Sequence, residues 1–193
     1  RLASVLFILV IVLVSRHSFG GALLHVFPPK FQGETFAVAR PTLLLSRTLV
    51  TVSDSYIDYR IDQTFYNDNE FPVQGLLVLP VESMENLANP EITINGAPIP
   101  FEFYSWERFF PIIQRLTVEM KDPCLLDLVG KNVILLQDFH MGIRQQKSIR
   151  IQYRVPLFSD KDYMEILVPL AGENYARGPV GEFEVAVRFK MSR

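Results

Sequence analysis

The sequence predicts a mainly β protein: an antiparallel β-sandwich with a short helical insertion. Three observations carry this. From Leu43 onward, eight or nine short segments alternate apolar and polar residues, with turn residues between them. Aromatic residues make up 12% of the chain and β-branched residues are common, and both fit a pleated, half-buried surface. One segment breaks the alternation: Lys121–Asn132 (KDPCLLDLVGKN) has the spacing of a helix.

The elements follow in order. Leu45–Val52 and Tyr56–Tyr66 flank Ser53-Asp54-Ser55, a hairpin connection. In the second of these, Ile57, Tyr59, Ile61 and Phe65 share one face. Asp58, Arg60, Asp62 and Thr64 share the other, the pattern of a half-buried antiparallel strand. Asn67–Pro72 (NDNEFP) reads as a turn and Val73–Leu79 as a more continuously apolar strand. Ile92–Ile94 and Ala97–Phe103 flank Asn95-Gly96, a pair suited to a type I′ turn. Pro98 and Pro100 remove N–H donors at alternate positions, which places that strand at a sheet edge.

In the helical segment, Asp122 caps the first turn and Pro123 occupies a position where its missing N–H is not needed. Leu125, Leu126 and Val129 form one face, and Gly130 supplies the stop. Ile113, Leu116 and Met120 repeat the spacing, so Pro111–Met120 reads as a preceding helix with Pro111 in its first turn. Leu116–Met120 also fits a strand. Val133–Phe139, Ser148–Val155, Tyr163–Val168 and Glu182–Lys190 complete the strands. The last sets Phe183, Val185, Val187 and Phe189 inward, against Glu184, Arg188 and Lys190 outward.

The 193 residues suit one domain with a short extension. A net charge of −2 with interspersed signs gives no basic stripe for nucleic acid. Arg1 precedes an apolar run, Leu2–Val14, about the length of a signal-peptide core and short of a bilayer span. Small residues at Ser18 and Gly20 suit cleavage after Gly20, with Ala22 as the alternative. Arg16 and His17 in the cleavage region make an uncleaved signal anchor the runner-up. The expected organisation is a signal peptide over 1–20, a loose lead-in over 21–42 and a sandwich domain over 43–193. Export to periplasm, cell envelope or exterior follows, with membrane contact only through the signal. The chain lacks an initiator Met and stops at Arg193 directly after a strand, so a fragment of a longer protein is expected.

The order of these pieces resembles the VIT domain (vault protein and inter-alpha-trypsin inhibitor heavy chain), particularly its bacterial exported members. Ile61–Pro80 (IDQTFYNDNEFPVQGLLVLP) is similar to the family's strand, asparagine-containing turn and strand ending in proline. Ile92–Phe103 resembles its next hairpin, and Asp122–Asn132 its Asp-Pro helix, with Cys124, Asp127 and Leu128 where Ala, Glu and Tyr are usual. Ser148–Val155 (SIRIQYRV) resembles a later strand. The resemblance implies a structural or interaction role ahead of a von Willebrand factor type A domain, and so a protein partner or neighbouring domain. No Asp-x-Ser-x-Ser adhesion motif occurs in the sequence.

No catalytic, cofactor or metal constellation emerges, so no enzyme activity and no cofactor are expected. Cys124 is the only cysteine, which excludes an internal disulfide and reads as a small buried hydrophobe. His17, His25 and His140 lack metal-ligand spacing, and His140 reads as a strand-end surface residue. Asp58, Arg60 and Asp62 read as a solvated charge ladder rather than an acid/base pair. Asn67, Asp68, Asn69 and Glu70 gather oxygen atoms in one loop, the only calcium hint, although turns favour the same residues. Tyr104, Trp106, Tyr175 and Arg177 are the candidate interaction surface. Tyr104, Trp106 and Phe109 also carry the rival function, a carbohydrate-binding sandwich, or else they contact the helical insertion. No GxSxG or glycine-rich phosphate loop supports a hydrolase.

Overall fold

The computed structural model describes residues 23–27, 30–31, 34–35, 41–81, 85–120, 132–157, 166, 168 and 180–190. The strands are β1 (Leu23–Phe27), β2 (Lys30–Phe31), β3 (Glu34–Thr35), β4 (Thr42–Ser53), β5 (Tyr56–Tyr66) and β6 (Val73–Val81). They continue as β7 (Ala88–Ile94), β8 (Ala97–Pro98), β9 (Glu102–Tyr104), β10 (Asn132–Met141), β11 (Gln146–Pro156) and β12 (Glu182–Lys190). One helix, α1 (Trp106–Met120), lies between β9 and β10. The signal segment, most of the Lys121–Asn132 helix with Cys124, and Tyr175 and Arg177 lie outside the described residues, as does the Tyr163–Val168 strand apart from Ile166 and Val168.

Two sheets face each other, one of order β1-β6-β10-β9 and one of order β12-β4-β5-β11-β7-β8, with β2 and β3 forming a separate pair. The main core lies between them: Leu43, Ile61, Phe65, Ile149 and Ile151 from the larger sheet meet Leu77, Leu79, Ile134, Leu136, Phe139 and Met141 from the smaller. The smaller sheet is covered on both faces. Its second face holds Val78, Val133 and Leu135 against Phe109 of α1 and Tyr104, with Trp106 and Ile112 alongside. Double burial explains why β6 and β10 read as nearly continuous apolar runs while β5 alternates.

Two bulges change which residues face inward. In β4, pairing with β5 slips between Leu43 and Leu45, so Leu43 is buried from an odd position and Ser46, Thr48, Val50 and Val52 from even ones. In β10, a slip between Leu136 and Phe139 brings Phe139 and Met141 into the core that Ile134 and Leu136 began. Gly181 leads into β12 at the first bulge: its N–H donates to the Leu43 carbonyl at 3.1 Å. A Cβ there would stand 2.7 Å from the Leu44 oxygen.

Several expectations are corrected. Leu23–Phe27, within the expected lead-in, is a strand pairing with β6; its apolar run is too short to show a period. The strand expected over Ala97–Phe103 breaks in two. β8 is an edge strand, as Pro98 suggested, but the chain then crosses to the other sheet, where β9 pairs with β10. The helix expected from Pro111 begins at Trp106, because Ser105 accepts from the N–H groups of Arg108 and Phe109 and starts the first turn; Pro111 therefore lies inside it. Asn132, expected at a helix end, opens β10 opposite Val81. β12 runs parallel to β4, whereas the other described pairings are antiparallel. Phe183 and Phe189 are half-exposed at this edge rather than enclosed.

Candidate functional site

The outer face of the larger sheet is built by strand alternation. Three rows cross it. Glu184, Arg47, Asp62 and Arg150 lie side by side on β12, β4, β5 and β11; Leu49, Arg60, Gln152 and Glu91 form the next row on β4, β5, β11 and β7. Thr51, Asp58 and Arg154 form the third. Positions that point to solvent in each strand thus become lateral neighbours.

In the first row charges alternate. The Arg47 Nε donates to Glu184 at 2.5 Å and its Nη2 to Glu182 at 3.3 Å. Hydrogen bonding to Glu184, then its charge, raises the Arg47 pKa above the ordinary value. Asp62 accepts from Arg60 Nε at 2.8 Å and from Arg150 Nε at 2.6 Å, with its side chain only 15% exposed. In the third row Arg154 grips both oxygens of Asp58, at 2.7 and 3.3 Å, and lies 3.7 Å from the Tyr56 ring centroid. The Asp58 hydrogen bond likewise raises the pKa of Arg154. The expected charge ladder is present, but its bonds run largely across strands, to Arg150 and Arg154.

Between the second and third rows lies a recess of about 330 Å³. Arg60, Glu91, Gln152 and Asn89 line it, with Leu49 as an apolar patch. Asn89 reaches the rim through a bulge: Gln152 pairs with Glu91 but Arg154 with Ala88, and Asn89 takes a φ of 50°. Arg60 lines the recess while its Nε donates to Asp62. This gives donors, acceptors and a carboxylate on rigid strands, at the small end of ligand-site volumes. Arg150, Arg154, Glu91 and Gln152 were not singled out from sequence. The signal lies in register: Arg150, Gln152 and Arg154 alternate opposite Asp62, Arg60 and Asp58.

The residues singled out from sequence sit elsewhere. Tyr104 is buried and donates its hydroxyl to Glu102 at 2.7 Å, with Arg108 5.4 Å from its ring centroid. Phe109 is fully buried, and Trp106 packs beside it with its ring 5.2 Å from Phe110. These aromatics seat α1 on the smaller sheet. His140 is exposed near the end of β10.

The Asn67–Glu70 loop is a structural staple. Asn67 is fully buried; its Nδ2 donates to the carbonyls of Phe71 and Gly142, each at 2.9 Å, and its Oδ1 accepts from Asn69 Nδ2 at 2.7 Å. The two asparagine side chains are spent on protein, while Asp68 and Glu70 are exposed. Among the described residues no group of three His, Cys, Asp or Glu is placed to hold a metal.

No protein-family model matches this chain, and no curated protein matches it. Among solved structures it is similar to the crystal structure of a candidate nutrient binding protein from Legionella pneumophila, with 10% identity and a TM-score of 0.45. The match covers 75% of this chain and 46% of that one, so the chain spans less than half the length of that protein.

Proposed function

We propose that this chain is an exported, non-enzymatic binding module of VIT type, which presents the outer face of its six-stranded sheet to a protein partner or neighbouring domain. The observation that supports it is the recess with Arg60, Glu91 and Gln152 at its walls, set in a lattice of arginine–carboxylate pairs. Such planar, preorganised groups recognise complementary side chains with little loss of conformational freedom. The carboxylates of the lattice act as acceptors for guanidinium groups, which suits recognition rather than proton transfer. The apolar run Leu2–Val14 supports export, and the order of motifs supports the VIT reading.

A carbohydrate ligand is the second reading, favoured by the recess volume and its amide and carboxylate lining rather than by Tyr104, Trp106 and Phe109. A glycan array separates the two. Retention on specific glycans, lost with Glu91→Ala while circular dichroism is unchanged, selects the carbohydrate. Absence of glycan binding, with a protein partner lost on Arg60→Glu, selects the protein reading.

A further inference from the structure

β12 reads Glu-Phe-Glu-Val-Ala-Val-Arg-Phe-Lys, and the order has a hidden symmetry about Ala186. Its apolar residues are palindromic: Val185 mirrors Val187 and Phe183 mirrors Phe189. Its charges are antisymmetric, because Glu184 mirrors Arg188 and Glu182 mirrors Lys190. The strand ends the six-stranded sheet, and no described strand pairs with its outer side. Phe183 and Phe189 are 50% and 45% exposed on the face that elsewhere forms the core. Glu182 and Glu184 share the single Arg47, each through one oxygen. No described acid pairs with Arg188 or Lys190. A nine-residue strand edge with exposed aromatic residues is the kind of surface that recruits another strand.

We propose that β12 pairs antiparallel with β12 of a second copy, about a two-fold axis through Ala186. In that register Glu184 faces Arg188 of the second copy and Glu182 faces its Lys190, on both sides of the axis. Phe183 meets Phe189, Val185 meets Val187, and Ala186 meets itself, where a small side chain is needed. Directly opposed residues share a face, so the two larger sheets join into one continuous sheet. The alternatives are poorer. Parallel in-register pairing sets like charges together, and an antiparallel shift of two residues leaves charges without mates. The second copy is thus chosen by charge complementarity. The pairing uses the sheet edge and does not depend on the recess.

Sedimentation velocity on the full chain tests this. The unaltered chain is expected to dimerise in the micromolar range. Arg188→Glu and Glu184→Arg, each folded by circular dichroism, are each expected to weaken the dimer about tenfold or more, because like charges then oppose twice. An equimolar mixture of the two variants is expected to restore it, since every charged pair again joins an acid to a base. A chain that stays monomeric at high micromolar concentration overturns the proposal, as does a mixture that fails to associate. Should a charge variant misfold, Ala186→Cys in a Cys124→Ser background decides. Oxidation is expected to yield a disulfide-linked dimer at that position, and its absence overturns the pairing.

Discussion

The Asn67 side chain donates to the Gly142 carbonyl at 2.9 Å, across 75 residues of sequence. That bond ties the turn after β5 to the turn between β10 and β11, and so joins the two sheets at one end of the sandwich. The Asn67 backbone N–H, donating to the Gln145 carbonyl at 2.9 Å, strengthens the same junction. Removing this buried carboxamide takes the side-chain donor from the Phe71 carbonyl and leaves the Gly142 carbonyl with the Gln145 N–H at 3.2 Å. Asn67→Ala is expected to lower unfolding free energy by about 2–4 kcal/mol, measured by urea denaturation. Asp68→Ala, one exposed residue along, is expected to change it by less than about 0.5 kcal/mol.

Ser46 and Gln63 lie opposite each other on the inner face of β4 and β5, each 1% exposed. The Ser46 hydroxyl and both polar atoms of the Gln63 amide have no hydrogen-bond partner among the described residues. Burying an amide without a partner costs free energy, so the shape-matched change Gln63→Met is expected to stabilise the fold by about 1 kcal/mol. A rise in the denaturation midpoint at unchanged slope is the readout. A fall of similar size would mean that the amide is satisfied in solution.

Asp62 holds two arginines from a half-buried position, unlike the more exposed pairs around it. Asp62→Asn is expected to cost about 1–2 kcal/mol at low salt and less at high salt. Asp62→Asn should also loosen Arg60 at the recess wall, which links the lattice to the proposed binding face.

Lys147 occupies the inner side of β11, opposite Phe65, with its ammonium 5.2 Å from the Phe139 ring centroid. Burial lowers its pKa below the ordinary 10.5. The folded state therefore binds this proton less tightly than the unfolded chain does. Stability from this group is lowest below the depressed folded value and rises with pH until the unfolded value of 10.5 is passed. Lys147→Met is expected to raise Tm at neutral pH, and the advantage should shrink as pH approaches 10.5. A Tm difference that is constant with pH would show that the ammonium is fully hydrated.

Much of the sandwich was legible because alternation is a local signal. The β4–β5 hairpin, the Asn95-Gly96 turn with its φ values of 52° and 82°, and the limits of β12 follow from nearest neighbours in sequence. What escaped depends on distant partners. The parallel placement of β12 is set by its docking at the Leu43–Leu45 bulge beside Gly181, and no local pattern encodes strand direction. The start of α1 was hidden because Pro111 is a strong first-turn signal, whereas Ser105 and buried Phe109 fix the helix earlier. The recess was hidden for a related reason: Arg60, Gln152 and Glu91 come from three separate strands and become neighbours only through register. The aromatic residues after the edge strand were the surface candidates, yet Tyr104 and Phe109 are buried where α1 meets the smaller sheet.

The proposed binding role of the outer face is tested most directly by a photo-crosslinking amino acid at position 152, in the full-length protein in the cells that produce it. The expected result is a discrete adduct with another protein, distinct in mass from a dimer of this chain, that disappears when Arg60→Glu and Glu91→Arg are added without loss of fold. An adduct unchanged by that double reversal, or none at position 152 while a probe at exposed Glu85 captures the same partner, would contradict it.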